Sequence, residues 1–226
     1  MLDGKQGDLV RNSVYQKLRS DVLSCALRPG QMLQEKELVD RFSVSRSPIR
    51  DALLKLEEQG LVEVMPRKGY RVRRIDLSDV RDMYSVRHML ERETVSMMIE
   101  TASDDVMEGL EAFRTLERAP DLGQWISYNR NFHLYIALNC GNARLARLSQ
   151  DMIEEFDRLT YVSVTSSSDL SLDVFVREHG GIIDALKARN KRQAISQAKD
   201  HIERSRRRVM NSLETFSVVD TNPETR

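Results

Sequence analysis

Cysteine is nearly absent. The two in 226 residues, Cys25 and Cys140, lack CxxC spacing and sit in helical patterns, so they read as reduced thiols. Long apolar runs are missing as well. None approaches 18 residues, which excludes a transmembrane helix. The opening MLDGKQGDLV has no apolar signal-peptide core, and a cytoplasmic protein is expected. Net charge is lacking, with 35 Lys and Arg against 35 Asp and Glu. That balance conceals an asymmetry: residues 9–75 carry 14 basic against 8 acidic side chains, or +6, and the remainder carries −6. A basic N-terminal part on a neutral chain suggests an anionic partner for that part alone. No internal repeat is visible. What is present is a 40% apolar chain, enough to bury a core, of a length that suits one large domain or two smaller ones.

The first half reads as three helices and a hairpin. Val14, Leu18 and Val22 recur every four residues and predict a helix over 9–25, stopped by Leu27-Arg28-Pro29-Gly30. A short helix follows from Glu35 to Phe42, with Leu38, Val39 and Phe42 inward. Ser43-Val44-Ser45 then turns the chain into a third helix. Ile49, Leu53 and Leu56 give it a buried side, Ser45 can cap its start, Pro48 sits in its first turn, and Gly60 ends it. Arg46, Ser47 and Arg50 project from its N-terminal end. Two alternating runs, 61–65 and 70–73, flank Pro66-Arg67-Lys68-Gly69 and form a hairpin with a basic tip. A basic helix by itself suggests no more than a solvated face. Helix, turn, helix and basic hairpin in this order describe a winged helix-turn-helix DNA-binding domain over 9–75.

Arg74-Ile75-Asp76-Leu77 is the expected linker, and from Ser78 the pattern is helical throughout. Helices are predicted from Ser78 to about Thr101, from Ser103 to Glu117, from Gln124 to Asn139, from Gly141-Asn142 through Leu159, from Leu172 to Arg189, and from Asn190 to about Leu213. Pro120 and Gly123 are read as breaks, and Ser163 to Asp169 as a polar loop. The fourth of these helices carries an apolar stripe of Leu145, Leu148, Met152, Phe156 and Leu159. Asn190 with Gln193 makes a capping-box pattern. The fold class expected is therefore mainly α: a winged helix-turn-helix, then an antiparallel bundle of about six helices over 78–216, with a disordered tail at 217–226.

Three of the bundle's histidines bear on chemistry. His179 and His201 each lie 11 residues from Asn190, on consecutive antiparallel helices. At 1.5 Å per residue both stand about 16 Å from the turn, at one level. His133 is on another helix, with Asn129 one turn earlier on the same face. Three neutral imidazoles converging in a bundle suit zinc, nickel or another borderline divalent ion. Separate, hydrogen-bonded helical histidines are the alternative, and spacing leaves both open. Arg87 is read either as an i,i+4 partner of Glu91 or as a clamp for a carboxylate.

Taken together these stretches resemble the GntR family of bacterial transcription regulators, in the branch with an all-helical FCD effector domain. The resemblance rests on Leu33-Gln34-Glu35-Lys36-Glu37-Leu38, Val44-Ser45-Arg46-Ser47-Pro48-Ile49-Arg50-Asp51-Ala52-Leu53 and Pro66-Arg67-Lys68-Gly69-Tyr70 in the first half. In the second it rests on Met83-Tyr84-Ser85-Val86-Arg87, Asn131-Phe132-His133, Glu178-His179 and Asp200-His201. It implies a homodimer on a near-palindromic operator. Lys36, Arg46 and Arg50 would contact bases or phosphates, Ser45 and Ser47 phosphates, and the Arg67-Lys68-Gly69 tip the minor groove. It also implies a divalent metal on His133, His179 and His201, with Asn129 standing where the family has an aspartate. The effector would be a small carboxylate near Tyr84, Arg87, Asn129 and the histidines. An acyl-CoA sensed without metal, a metal-dependent hydrolase and a purely structural dimerisation bundle are the competing readings. The hydrolase lacks a general base, since Asn129 cannot serve and no HExxH element is present.

Overall fold

In the computed structural model the structure describes residues 2–116, 121–165 and 173–219. The chain divides into two compact units, 1–76 and 77–226.

The first unit is built on α1 (Leu2–Leu23), α2 (Glu35–Phe42) and α3 (Arg46–Glu58). Its core is the set of periodic residues noted above: Val14, Leu18 and Val22 of α1 meet Leu38 of α2 and Ile49, Leu53 and Leu56 of α3. Three residues separate α2 from α3, and Ser43 takes the left-handed conformation that turns the chain. Ser45 occupies the N-cap position with extended backbone, but its hydroxyl makes no capping bond. At the far end Gly60, at φ 68°, lets Leu61 N donate back to Leu56 O, closing α3.

The hairpin consists of β2 (Val62–Met65) and β3 (Gly69–Val72), paired antiparallel with Met65 opposite Gly69. A third strand, β1 (Met32–Leu33), adds to β3, so the order is β1-β3-β2. Two residues are too few for a period-2 pattern to show. Gly69 sits at φ 96°, and a Cβ there would lie 2.7 Å from Leu33 O. Only glycine lets the wing close against β1.

Among the described residues the second unit contains six α-helices: α4 (Leu77–Thr101), α5 (Asp104–Gly109), α6 (Leu122–Leu138), α7 (Ala143–Thr165), α8 (Asp173–Lys187) and α9 (Lys191–Val219). Ser103 caps α5, accepting from Val106 N, and Asn142 caps α7, accepting from Arg144 N and Leu145 N. Asn190 accepts from Gln193 N at the start of α9.

Five further sequence expectations need correction. The helix expected over 103–117 stops at Gly109 and continues as one 3-10 turn, Leu110–Phe113, with Glu117 outside the described residues. There Leu110 N bonds Met107 O, the i→i−3 pattern of a 3-10 turn, and Tyr135 Oη donates to Val106 O at 2.8 Å. Gly123 does not break the chain. It lies in the first turn of α6, which Asp121 and Gln124 open with a full capping box, while Pro120 is outside the described residues. The stripe on α7 is displaced: Leu148 is 59% exposed, and the buried side runs through Ala146, Ser149, Ile153, Phe156 and Asp157. Ser163, Val164 and Thr165, where a polar loop is expected to begin, belong to α7, and 166–172 lie outside the described residues. Residues 217–219 still belong to α9, and 220–226 likewise lie outside.

Among the described residues, two apolar clusters lie in the bundle. One gathers Met98, Leu110, Phe132, Ile136, Ile182, Ile183 and Leu186. The other stacks Trp125, Tyr128 and Phe175. Along α8, His179 falls between Phe175 of one cluster and Ile182 of the other, and on α6 His133 directly follows Phe132, so the histidines form a polar layer set against greasy packing. No described helix is long and apolar enough to cross a membrane.

Candidate DNA interface and histidine centre

Lys36 is exposed in the first turn of α2, and Ser45, Arg46, Ser47 and Arg50 are exposed at the start of α3. Arg46 and Arg50 are one turn apart and share a face. Arg67 and Lys68 are exposed at the hairpin tip, where Arg67 adopts φ 64°. Gly69 is half-buried beneath Leu33, so its contribution is the shape of the wing. Two contacts across this face had no signal in the helical periodicity. Arg50 Nε lies 2.9 and 3.1 Å from the two carboxylate oxygens of Glu35, and Gln34 Nε2 donates to Lys68 O at 2.8 Å.

In the second unit the structure brings His133, His179 and His201 together. They are 3%, 0% and 2% exposed, and one nitrogen of each lies within 4.8 Å of the others. His133 Nε2 and His201 Nε2 are 3.3 Å apart. Two nitrogens bound to one tetrahedral ion at 2.0–2.1 Å would stand about 3.3–3.4 Å apart. Asn129 lines the adjoining cavity with Arg87, Thr160, Ser163, Phe175, His201 and Ser205.

The rings are oriented through their other nitrogens. Tyr128 Oη donates its one proton to Phe113 O at 2.8 Å, so at 3.2 Å from His179 Nδ1 it can only accept. His179 is thereby the Nδ1–H tautomer, and its buried Nε2 is a lone pair with no partner among the described residues. Glu178 accepts from His201 Nδ1 at 2.7 Å, which likewise leaves His201 Nε2 a lone pair. His133 Nδ1 is 3.2 Å from Glu91 Oε1, close but too far off-axis for a well-formed hydrogen bond. Glu91 in turn accepts from Arg87 Nε at 2.6 Å, and the Arg87 guanidinium lies over the Phe156 ring. Arg87 thus does pair with Glu91, and Tyr84 bonds Ser205 at 2.8 Å.

Charge follows from burial and these partners. Burial depresses all three histidines: His133 to about 4, against the pull of Glu91, His179 well below its ordinary value, and His201 lowered despite Glu178. They are neutral at pH 7, the form that binds metal. Burial pushes Glu178 upward, but hydrogen bonds from His201 and Arg208 outweigh it and hold the carboxyl at about 2. Burial opposes ionisation of Glu91 too. With His133 neutral, Arg87 is the cation that keeps it ionised and low.

A pH dependence results. A histidine depressed in the fold costs nothing above its unfolded value of 6.5, and below that the unfolded chain binds more protons. Glu178 and Glu91 add stability above about 4.5 that is lost below it. Both terms have the same sign. Thermal melts of the bundle are expected to be flat above pH 7, to fall from pH 6.5 downward, and to fall more steeply below 4.5.

Sequence comparison decides the family. Residues 10–72 match the family described as bacterial regulatory proteins, gntR family, and residues 82–204 match the FCD domain. The chain belongs to the GntR family. With the HTH-type transcriptional repressor RspR of Escherichia coli K12, this GntR regulator shares 31% identity over 191 residues, 80% of each chain. A solved GntR member from Pseudomonas syringae pv. tomato is 28% identical, with a TM-score of 0.57 over 95% of this chain and 90% of that one. McbR/YncC of E. coli shares the fold at 19% identity, with a TM-score of 0.79 over 90% of this chain and 98% of that one. These families and relatives are transcriptional regulators, not enzymes.

Proposed function

We propose that this GntR regulator is a dimeric, cytoplasmic repressor. It binds a near-palindromic operator through Lys36, Ser45, Arg46, Ser47, Arg50 and the Arg67-Lys68-Gly69 wing. The bundle holds a divalent ion, zinc or nickel, on His133, His179 and His201, and answers to a small carboxylate beside it. Repression is supported by the likeness to RspR. One observation carries the metal: His133 and His201 turn Nε2 toward each other at 3.3 Å and one nitrogen of His179 lies within 4.8 Å of theirs, while Tyr128 and Glu178 take up Nδ1 of His179 and His201 and Glu91 lies beside His133. Two ring nitrogens 3.3 Å apart need a cation or a proton between them. Carboxylates and hydroxyls behind metal-bound histidines fix ring orientation in this way.

The residues fit the ion, which would supply a positive centre with an open position for an anion. Asn129 adds no charge, so the effector's carboxylate supplies the first negative charge at that centre. Arg87, Thr160, Ser163 and Ser205 offer further polar contacts. The cavity they line is about 10 Å³, room for one water-sized group. A carboxylate therefore enters only by moving side chains of this layer. Such a movement alters operator affinity if the effector binds the DNA-competent and DNA-incompetent arrangements unequally.

The test is metal uptake by chelator-treated protein. One zinc or nickel ion per chain is expected, with a melting temperature that rises on loading because the ion binds only the folded bundle. His179→Ala should abolish the rise. Protein that takes up neither ion removes the metal from the proposal.

A further inference from the structure

Glu35 is an acid on a basic face. It opens α2, its side chain is 28% exposed, and both carboxylate oxygens face Arg50 Nε across the gap to α3. A negative charge close to phosphates weakens attraction to every DNA sequence alike. The contact has a geometry that answers this. It takes up Nε and leaves the terminal nitrogens of the guanidinium, the pair that forks onto a base edge. It also holds a long side chain, itself 58% exposed, before any DNA arrives. A side chain ordered in advance loses less entropy on binding.

The base from which Glu35 acts is rigid. Leu33 pairs with Tyr70 in the sheet, and its carbonyl fills the space over Gly69. Gln34 is tied to Lys68 O at the wing tip. Residues 33–35 therefore join the wing to one end of α2, and Glu35 extends that joint to the recognition helix.

We propose that Glu35 is a positioning residue for operator recognition: it sets the pose of Arg50, and through it the preference for one base pair in each half-site. The inference rests on Arg50 reading the operator.

The experiment uses the full-length protein and two duplexes of equal length. One is selected by the wild type from a random-sequence pool, and the other is its scramble. Affinities for both are measured by fluorescence anisotropy at one salt concentration, for wild type, Glu35→Ala, Arg50→Ala and the double variant. Glu35→Ala is expected to weaken binding to the selected duplex about tenfold while binding to the scramble is unchanged or tighter. The double variant should match Arg50→Ala alone. Repeating the selection with Glu35→Ala should relax one position of the half-site and leave the others. If Glu35→Ala tightens binding to both duplexes equally, Glu35 only repels DNA and the inference falls. It falls too if the loss persists undiminished on top of Arg50→Ala. An Arg50→Ala protein with unchanged discrimination removes the underlying role of Arg50, and the inference with it. Should Glu35→Ala melt early, Glu35→Leu carries the same comparison, since it fills the space while removing both the acceptor and the charge.

Discussion

Replacing Glu91 with alanine is expected to destabilise the bundle by about 3–5 kcal/mol, because it strands a buried guanidinium. Arg87 is 3% exposed, bonds Glu91 at 2.6 Å, and has its guanidinium carbon 4.3 Å from the Phe156 ring centroid, so its charge is balanced mainly by that carboxylate. The measurement is local by good fortune of composition. The chain has one tryptophan, Trp125, buried in the bundle, so its fluorescence during urea denaturation reports this unit alone. Removing both charges should cost far less than removing one. Arg87→Met with Glu91→Leu is expected to recover most of the lost stability, since the pair's desolvation is relieved together with its attraction. An alanine variant as stable as the wild type would show that the pair is hydrated in solution.

Arg50→Ala should cost about 1–3 kcal/mol of binding to the operator and much less on unrelated duplexes, if the guanidinium reads a base edge. Arg50→Lys is not expected to restore the preference, because an ammonium has no fork. The competing outcome is an equal loss on all sequences, with the salt dependence of binding falling by about one phosphate contact. That result would assign Arg50 to the DNA backbone.

Much of this arrangement is legible in the sequence, and the exceptions have causes. The core of the first unit follows its periodicity residue by residue, since Val14, Leu18, Val22, Ile49, Leu53 and Leu56 are all buried. Equal distances of His179 and His201 from Asn190 place their rings 4.8 Å apart in the structure. The acidic partners of the histidines were harder to see. Glu91 and Glu178 are charged, and charged residues on helices usually face water. Here one is buried by Arg87, and the other by His201 with Arg204 and Arg208. The available signals were an Arg87-Glu91 pair at i,i+4 and a glutamate directly before a histidine, both common on solvated helices. The α7 stripe misled for the converse reason. Asp157 is buried because Arg130 reaches it from α6, so a polar residue belongs to the inner face and Leu148 to the outer one. Contacts such as these depend on what a neighbouring helix brings, which no single-helix period records.

The histidine layer also governs time. Its three rings are buried against the Trp125 and Phe132 clusters, and the cavity described beside them is about 10 Å³. A chelator would not reach the proposed ion there and would collect only one already released. Loss of the ion should therefore proceed at a rate independent of chelator concentration, set by how often the bundle opens. A carboxylate that props the layer open would speed that exchange.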